Sequence, residues 1–317
     1  MVQCLVPIFS DPPRARKPRR IATYVFPRRR FQLRLPARSL LLGRHTLIMG
    51  VLNVTPDSFS DGGHYLDPDA AAARALQMEA QGAHLIDIGG ESTRPGSEGV
   101  SAEEELRRIV PVLERLRGKL RIPISVDTSK SVVAEAAIAA GAEIINDVTG
   151  LRADPALADI ASRLKLPLIL VHMRGQPRTM QKAPFARHVV LNVLSGLDES
   201  LVVARQAGVA NSQIILDPGL GFGKTYEQNF ELIARLSEFA QLGFPLLIGA
   251  SRKSFVGKAL GGAPKNERAW GTAATVAAAV FGGAHIVRVH EVAEMAQVAR
   301  VADVIVHRGR PPQAAQK

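Results

Sequence analysis

From Thr46 onward the chain alternates eight short, apolar, β-branched runs with eight Ala/Leu/Glu-rich stretches of helical period, and this alternation limits the fold more than any other feature. The strand candidates are Thr46 to Asn53, His84 to Ile88, Ile122 to Asp127, Glu143 to Asp147, Pro167 to His172, Gln213 to Asp217, Leu246 to Ala250 and His285 to His290. Helices are expected over 67–81, 101–117, 129–140, 154–164, 186–207, 227–240, 266–281 and 291–306. Asp67-Pro68 offers an N-cap acid followed by proline at the first helical position, and Gly82 and Gly141 stand where C-cap glycines belong.

Eight strands, each followed by a helix, in about 250 residues match the order and size of a closed (β/α)8 TIM barrel. The rival is an open, doubly wound sheet, which carries its fingerprint glycines after the first strand. No such fingerprint follows Thr46 to Asn53, so the expectation is an α/β protein with a single (β/α)8 barrel. Near-continuous apolar runs such as Leu168-Ile169-Leu170-Val171 suit either parallel sheet.

The formal net charge of +11 raises the question of nucleic acid, and the position of the charge answers it. Residues 1–45 hold eleven Lys/Arg against the single acid Asp11, while the remainder is nearly balanced. Two domains are therefore expected: a basic, Pro/Arg-rich and partly disordered extension over 1–45, and a catalytic barrel over 46–317. The extension has no apolar core of the kind a secretory signal needs, and a nucleic-acid partner is not expected. Removal of residues 1–38 is expected to spare activity, because the polar strand ends begin at Asn53. The lone Cys4 rules out an intramolecular disulfide and fits a reducing cytoplasm, and Thr272 to Val287, the longest apolar stretch, is too short for a membrane span.

Each apolar run ends on residues a packed core would not choose: Asn53, Asp87 with Glu91, Asp127, Asn146 with Asp147, His172, Asp217, Ser251-Arg252-Lys253-Ser254, and Arg288 with His290. Any one of the acids could cap a helix, but Arg, Lys and His are poor N-caps. In a barrel all eight ends open on one face, the face that carries barrel active sites. Carboxylates and amides there offer acceptors to an NH-rich ring, while Arg252, Lys253, Arg288 and His290 offer cationic donors to a phosphate or carboxylate. Phe59 and Phe222 are candidate aromatic faces for a flat ring.

Two features mislead. Gly219-Leu220-Gly221-Phe222-Gly223-Lys224-Thr225 looks like a nucleotide P-loop, but Pro218 replaces the first glycine that motif requires. His172 and His290 lack partners at metal-ligand spacing, so hydrogen-bonding roles are expected of them. Two connections, Val54 to Leu66 and Ser92 to Val100, are long for a barrel, and their Gly and Pro content suits mobile lids over the open face.

Taken together these blocks resemble the dihydropteroate synthases. The resemblance runs from about Ile48 to His307 and rests on Met49 to Gly63, Glu91-Ser92-Thr93-Arg94-Pro95-Gly96, Ser125-Val126-Asp127-Thr128, Ile145-Asn146-Asp147, Asp217 to Lys224, Ser251 to Ser254 and Arg288-Val289-His290. It implies a (β/α)8 barrel, a homodimer, membership of the enzyme class that sulfonamides target, and Mg²⁺ as cofactor. It implies condensation of 6-hydroxymethyl-7,8-dihydropterin diphosphate with 4-aminobenzoate to give 7,8-dihydropteroate and pyrophosphate. By similarity Asp127, Asn146, Asp217, Phe222 and Lys253 would bind pterin, and Asn53, Thr93, Arg288 and His290 the diphosphate, with Asn53 also on the metal. Phe59, Arg94, Pro95 and Ser254 would surround aminobenzoate, and Asp127, Lys253, Arg288 and His290 would carry the catalysis. Gln176 and Leu220 depart from residues common in the family, but neither change removes a proposed catalytic group.

Two other functions are consistent with parts of this set. A pterin-binding methyltransferase barrel would use similar Asp and Asn residues but needs no diphosphate site, against which Ser251 to Ser254 and Arg288-Val289-His290 argue. A binder that has lost catalysis would not be expected to keep the whole set of strand ends.

Overall fold

A computed structural model describes residues 26–55, 67–94, 96–176, 179–181, 184 and 187–308. The described chain starts with an antiparallel hairpin, β1 (Phe31–Arg34) and β2 (Ser39–Leu42). Eight parallel strands follow: β3 (Leu47–Asn53), β4 (Leu85–Gly89), β5 (Ile124–Asp127), β6 (Ile144–Asp147), β7 (Leu168–Val171), β8 (Ile214–Asp217), β9 (Leu247–Ile248) and β10 (Ile286–Val289). They pair in the order β8-β7-β6-β5-β4-β3-β10-β9, and a parallel bridge between Leu216 and Leu246 joins the two ends. The sheet is a closed barrel, and its strands lie within the runs expected from the sequence except β4, which passes the expected end at Ile88 by one residue, Gly89.

The helices are α1 (Pro68–Ala80), α2 (Ala102–Leu116), α3 (Ser131–Ala139), α4 (Ala156–Leu164), α5 (Val189–Gln206), α6 (Tyr226–Ala234), α7 (Ser254–Ala259), α8 (Ala269–Phe281) and α9 (Val292–Val306). Asp67 caps α1 by accepting from the Asp69 N–H at 2.8 Å, with Pro68 at the first helical position. Thr225 and Gln228 form a capping box at α6. The expected helix over 227–240 stops at Ala234, and the chain tightens into a 3-10 turn over Leu236–Leu242 that buries Phe239. The short α7 carries too few residues for its periodicity to show in the sequence.

Two apolar layers result from strand alternation. Outward residues such as Ile48, Ile86, Val126 and Leu216 pack under the helices, whereas inward residues Leu47, Leu85, Ile144, Ile215, Leu247 and Ile286 fill the lower barrel. Leu33, Leu35 and Leu42 of the hairpin join this inner cluster and close its floor. The extension expected over 1–45 is therefore divided: 1–25 lie outside the described residues, while 26–45 are an integral part of the barrel. Leu33 and Leu42 are buried because they are the apolar side of a two-stranded ribbon, a pattern of four residues per strand that basic neighbours obscure in the sequence. Deletion through residue 38 removes β1, so the expectation that 1–38 can be lost without consequence does not suit this packing.

A buried ion pair ties this segment to the last helix. The Arg28 guanidinium meets the Asp303 carboxylate, and both side chains are almost wholly buried. Asp303 also accepts from the Thr46 N–H at 2.6 Å and the Thr46 hydroxyl at 2.9 Å, while Arg28 donates to the Ala284 carbonyl at 3.1 Å. Removing one partner would leave the other charge buried without compensation. Arg28→Ala is expected to lower the unfolding free energy by about 3–5 kcal/mol, measured as a shift of the urea midpoint at constant slope.

Candidate active site

The inward positions of the strands change character along the barrel axis. Two residues beyond the apolar floor, the same alternation presents Asp87 after Leu85, Asn146 after Ile144, Asp217 after Ile215, Gly249 after Leu247 and Arg288 after Ile286. At the centre, Arg288 Nε donates to Asp87 Oδ2 at 2.6 Å and Arg288 Nη2 to Asp127 Oδ2 at 2.6 Å. Asn146 Nδ2 donates to the same Asp87 oxygen at 3.0 Å. Asp217 sits on the neighbouring side, where Oδ1 accepts from the Gly219 N–H at 2.7 Å.

Several acceptors are left over. Asp87 Oδ1, Asp127 Oδ1, Asn146 Oδ1 and Ser125 Oγ are buried without a hydrogen-bond partner among the described residues. Buried polar atoms are rarely left unpaired in a finished structure, so this cluster of oxygens calls for a ligand rich in N–H groups. Gly249 leaves room beside them: a β-carbon there would stand 3.8 Å from Arg288 Cβ and 4.0 Å from Asp217 Oδ2.

The electrostatics follow from burial. Burial pushes the Asp127 carboxyl well above the usual range, and Arg288 pulls it back. Asp217 is pushed up to about 6 by burial, opposed by the Gly219 N–H and then by Lys253, Lys224 and Arg288. Burial also draws Lys253 down to about 8, with Arg288 acting in the same direction and Asp217 against it. For Arg288 burial opposes the charge, but Asp87 and Asp127 outweigh it and the pKa rises.

Above this floor opens a cleft of about 520 Å³ that Asn53, Thr93, Arg94, Phe222, Lys253, Ser254, Arg288 and His290 help to line. Lys253 Nζ lies 4.1 Å from the centroid of the Phe222 ring. An adjoining cavity of about 540 Å³ includes Asp127 and shares Thr93 with the first. Asn146 and Asp217 lie deeper, only 2% and 5% exposed. Phe59 and Pro95, and most of the connection from Val54 to Leu66, lie outside the described residues. The second long connection is folded on itself, with the Ser97 hydroxyl donating to the Ser92 carbonyl at 2.5 Å.

Local backbone geometry aims these groups. Arg252 adopts φ +58°, a left-handed conformation costly for a side chain of its kind, and this kink sends Lys253 inward while Arg252 pairs with Glu291. Arg252 lines the same cleft, with its Nε paired to Glu291. His290 differs from expectation: Nδ1 lies 2.9 Å from the Ser251 hydroxyl, and burial with Arg252, Arg288 and Lys253 nearby drives its pKa far down. It is a neutral imidazole, able to offer Nε2–H rather than a positive charge. In the P-loop look-alike, Lys224 is buried against His172 and the Gly219 carbonyl instead of facing an open phosphate cradle. Asp87, outside the set of expected ligand contacts, emerges as the common acceptor for Asn146 and Arg288, a role its inward place on β4 would have signalled.

Comparison with known proteins agrees with this geometry. A family profile described as "Pterin binding enzyme" matches residues 49–290. The chain belongs to the pterin-binding enzymes. Within that family it is 49% identical over 263 residues to the dihydropteroate synthase of Synechocystis sp., covering 83% of this chain and 91% of that protein. To the Bacillus subtilis dihydropteroate synthase it is 48% identical, covering 83% and 90%. Among solved structures of the family, Xanthomonas albilineans dihydropteroate synthase with 4-aminobenzoic acid superposes with a TM-score of 0.82 at 41% identity, covering 89% of this chain and all of that one. The same enzyme in complex with 7,8-dihydropteroate gives 0.79 at 40% identity, covering 88% of this chain and 100% of that one.

The raised Asp217 pKa has a consequence for stability. Because the folded value of about 6 lies above the unfolded value near 3.9, the native state favours the protonated form, and wild type loses stability as pH rises from about 4 through about 6. Asp217→Asn escapes that loss. The ligand-free variant is expected to gain about 2 kcal/mol over wild type at pH 8 relative to their difference at about pH 4, measured by denaturant unfolding at both values.

Proposed function

We propose that this cleft joins 6-hydroxymethyl-7,8-dihydropterin diphosphate to 4-aminobenzoate, the activity of a dihydropteroate synthase. The observation that carries the reading is the set of unpaired buried oxygens on Asp87, Ser125, Asp127 and Asn146 beneath a cleft bordered by Lys253 and Arg288. A flat, NH-rich ring satisfies the first, and an anionic leaving group suits the second. In the reaction the aminobenzoate nitrogen forms a bond to the pterin's exocyclic methylene carbon as the carbon–oxygen bond to diphosphate breaks, and the nitrogen then releases a proton.

Asp217 accepts from the pterin's amino and ring N–H groups, and Asn146 and Asp127 hold the same ring with their free oxygens. Lys253 and Phe222 border the ring, the lysine ammonium 4.1 Å from the phenyl centroid. Departure of diphosphate leaves a delocalised pterin cation, which Asp127 stabilises without forming a covalent bond. Arg288 has no partner on Nη1 among the described residues and reaches the departing diphosphate with that edge, joined by Asn53, Thr93 and His290 Nε2–H. Arg94 and Ser254, the latter opening α7, border the aminobenzoate end of the cleft, where a sulfonamide would compete; Phe59 and Pro95 are assigned there by similarity alone.

The donor set also suits Mg²⁺. No cluster of three His, Cys, Asp or Glu able to hold a metal occurs among the described residues, and Asp87 and Asp127 are engaged by Arg288. Asn53 contributes one amide oxygen at the cleft, which fits an ion that keeps waters and takes most of its ligands from diphosphate. Bound there, Mg²⁺ would neutralise charge developing on the leaving group. The reading extends to a cytoplasmic homodimer; Trp270, 85% exposed at the start of α8, is an apolar group that a second subunit would cover. Separately, no described helix is long and apolar enough to cross a membrane.

The test is release of pyrophosphate that requires both substrates; no release with pterin diphosphate and aminobenzoate both at saturation, or equal release without aminobenzoate, would end this reading. Arg288→Lys is the informative variant, because alanine would strand Asp87 and Asp127 as well. Lysine keeps a charge but loses the fork, so kcat is expected to fall roughly ten- to a hundredfold, with affinity for dephosphorylated pterin within about twofold of wild type. Asp217→Asn is expected to weaken pterin binding by about 2–3 kcal/mol in calorimetry, since its amide turns a donor toward the ring's donors.

A further inference from the structure

Lys224 is a charged residue that the reaction as described does not use, and it is only 3% exposed. Its Nζ has three acceptors within reach: His172 Nδ1 at 2.9 Å, the His172 carbonyl at 2.8 Å and the Gly219 carbonyl at 2.7 Å. An ammonium has three N–H donors, so this environment satisfies it completely. A neutral amine would turn its lone pair on one of the same acceptors. The cost of burial is real, drawing the lysine pKa well down, and Asp217 opposes that fall while Lys253 and Arg152 add to it.

The residues at the other end of these bonds belong to the pterin floor. Gly219, whose carbonyl Lys224 grips, gives its N–H to Asp217 Oδ1 at 2.7 Å, and the His172 N–H donates to the Asp217 carbonyl at 2.9 Å. Gly219 has φ +68°, and a β-carbon there would fall 1.9 Å from the His172 carbonyl oxygen, so the turn requires glycine and leaves no slack. Lys224 thus fastens both chain segments that hold Asp217 without itself lining the cleft. His172, with Nδ1 accepting from Lys224, is fixed as the neutral Nε2–H tautomer, and its pKa is driven down by burial and then by Lys224, Arg152 and Arg174.

We propose that Lys224 is a positioning residue for pterin recognition: it fixes Gly219 so that the peptide N–H orients Asp217, and its charge keeps that carboxylate in the acceptor-only state the ring requires. This rests on the reading of Asp217 as the pterin acceptor. The other charges facing Asp217 are Lys253 from the segment after β9 and Arg288 from β10, both also in the cleft, whereas Lys224 acts from outside it. Removing Lys224 therefore separates the state of the carboxylate from direct ligand contact.

The experiment is the pH dependence of binding of 6-hydroxymethylpterin, a probe without diphosphate, to the full chain. Wild type is expected to lose affinity as pH falls through about 6, where Asp217 takes up its proton. In Lys224→Met that midpoint is expected to rise by about one unit, weakening binding roughly eightfold at about pH 5.5 but by less than about twofold above about pH 8. Lys224→Gln, which keeps a donor for the Gly219 carbonyl, should show the same midpoint shift with a smaller loss at high pH. A uniform loss at every pH with an unmoved midpoint would overturn the proposal and make Lys224 a structural pin only. In Asp217→Asn the step near pH 6 should vanish, and adding Lys224→Met should move nothing further; persistence of the step in Asp217→Asn would instead overturn the reading of Asp217. Should neither lysine variant fold, nitrogen NMR of the wild-type Lys224 side chain at pH 7 decides: a slowly exchanging ammonium supports the proposal, and a neutral amine overturns it.

Discussion

The centre of this protein is one arginine held between two buried carboxylates. Arg288, Asp87 and Asp127 come from strands β10, β4 and β5, so their pairing is possible only once the barrel has brought those strands around a common axis. Desolvating such groups is expensive, and it is tolerated here because each charge faces its opposite at hydrogen-bond distance. The compensation is deliberately incomplete in its geometry: each carboxylate pairs through one oxygen and leaves the other without a partner among the described residues. Those remaining oxygens are what a ligand meets, fixed before it arrives and therefore requiring little reorganisation when charge moves in the transition state.

The apolar floor makes this arrangement affordable. Inward residues Leu47, Leu85, Ile144, Ile215, Leu247 and Ile286 pack with the hairpin leucines to exclude water from below, so polar inward positions can be confined to the upper barrel. A single alternation of two residues per pleat therefore supplies both the core and the site, with the change from one to the other occurring within four-residue strands.

The strand and helix order could be read from the sequence because each parallel strand is covered on both faces and becomes a continuous apolar run, and because Asp67-Pro68 marks a helix start by local chemistry. Most candidate site residues could be read for a related reason: Asp127, Asn146, Asp217 and Arg288 interrupt those runs at their ends. What could not be read is whatever depends on partners far away in the chain. Arg28 resembles any other arginine of a basic tail until Asp303 is placed beside it, and Leu33 and Leu42 resemble scattered apolar residues until the barrel floor receives them. Arg252 and His290 stand at the expected strand ends, but Arg252 is paired with Glu291 and the His290 ring lies against the Ser251 hydroxyl, partners that the sequence does not show.

The bond between Arg28 and Asp303 spans 275 residues of sequence, which bears on how the molecule is made. Synthesis proceeds from the N-terminus, so the hairpin that seals the barrel emerges long before the helix that anchors it. The leucine face of the hairpin packs on strands that are complete by β10, but until α9 leaves the ribosome Arg28 has no carboxylate to meet. The last helix therefore supplies the carboxylate that ties the first described residues and Thr46 to the end of the barrel. A shortened chain ending before Asp303 would forfeit that tie at the end of the barrel opposite the chemistry.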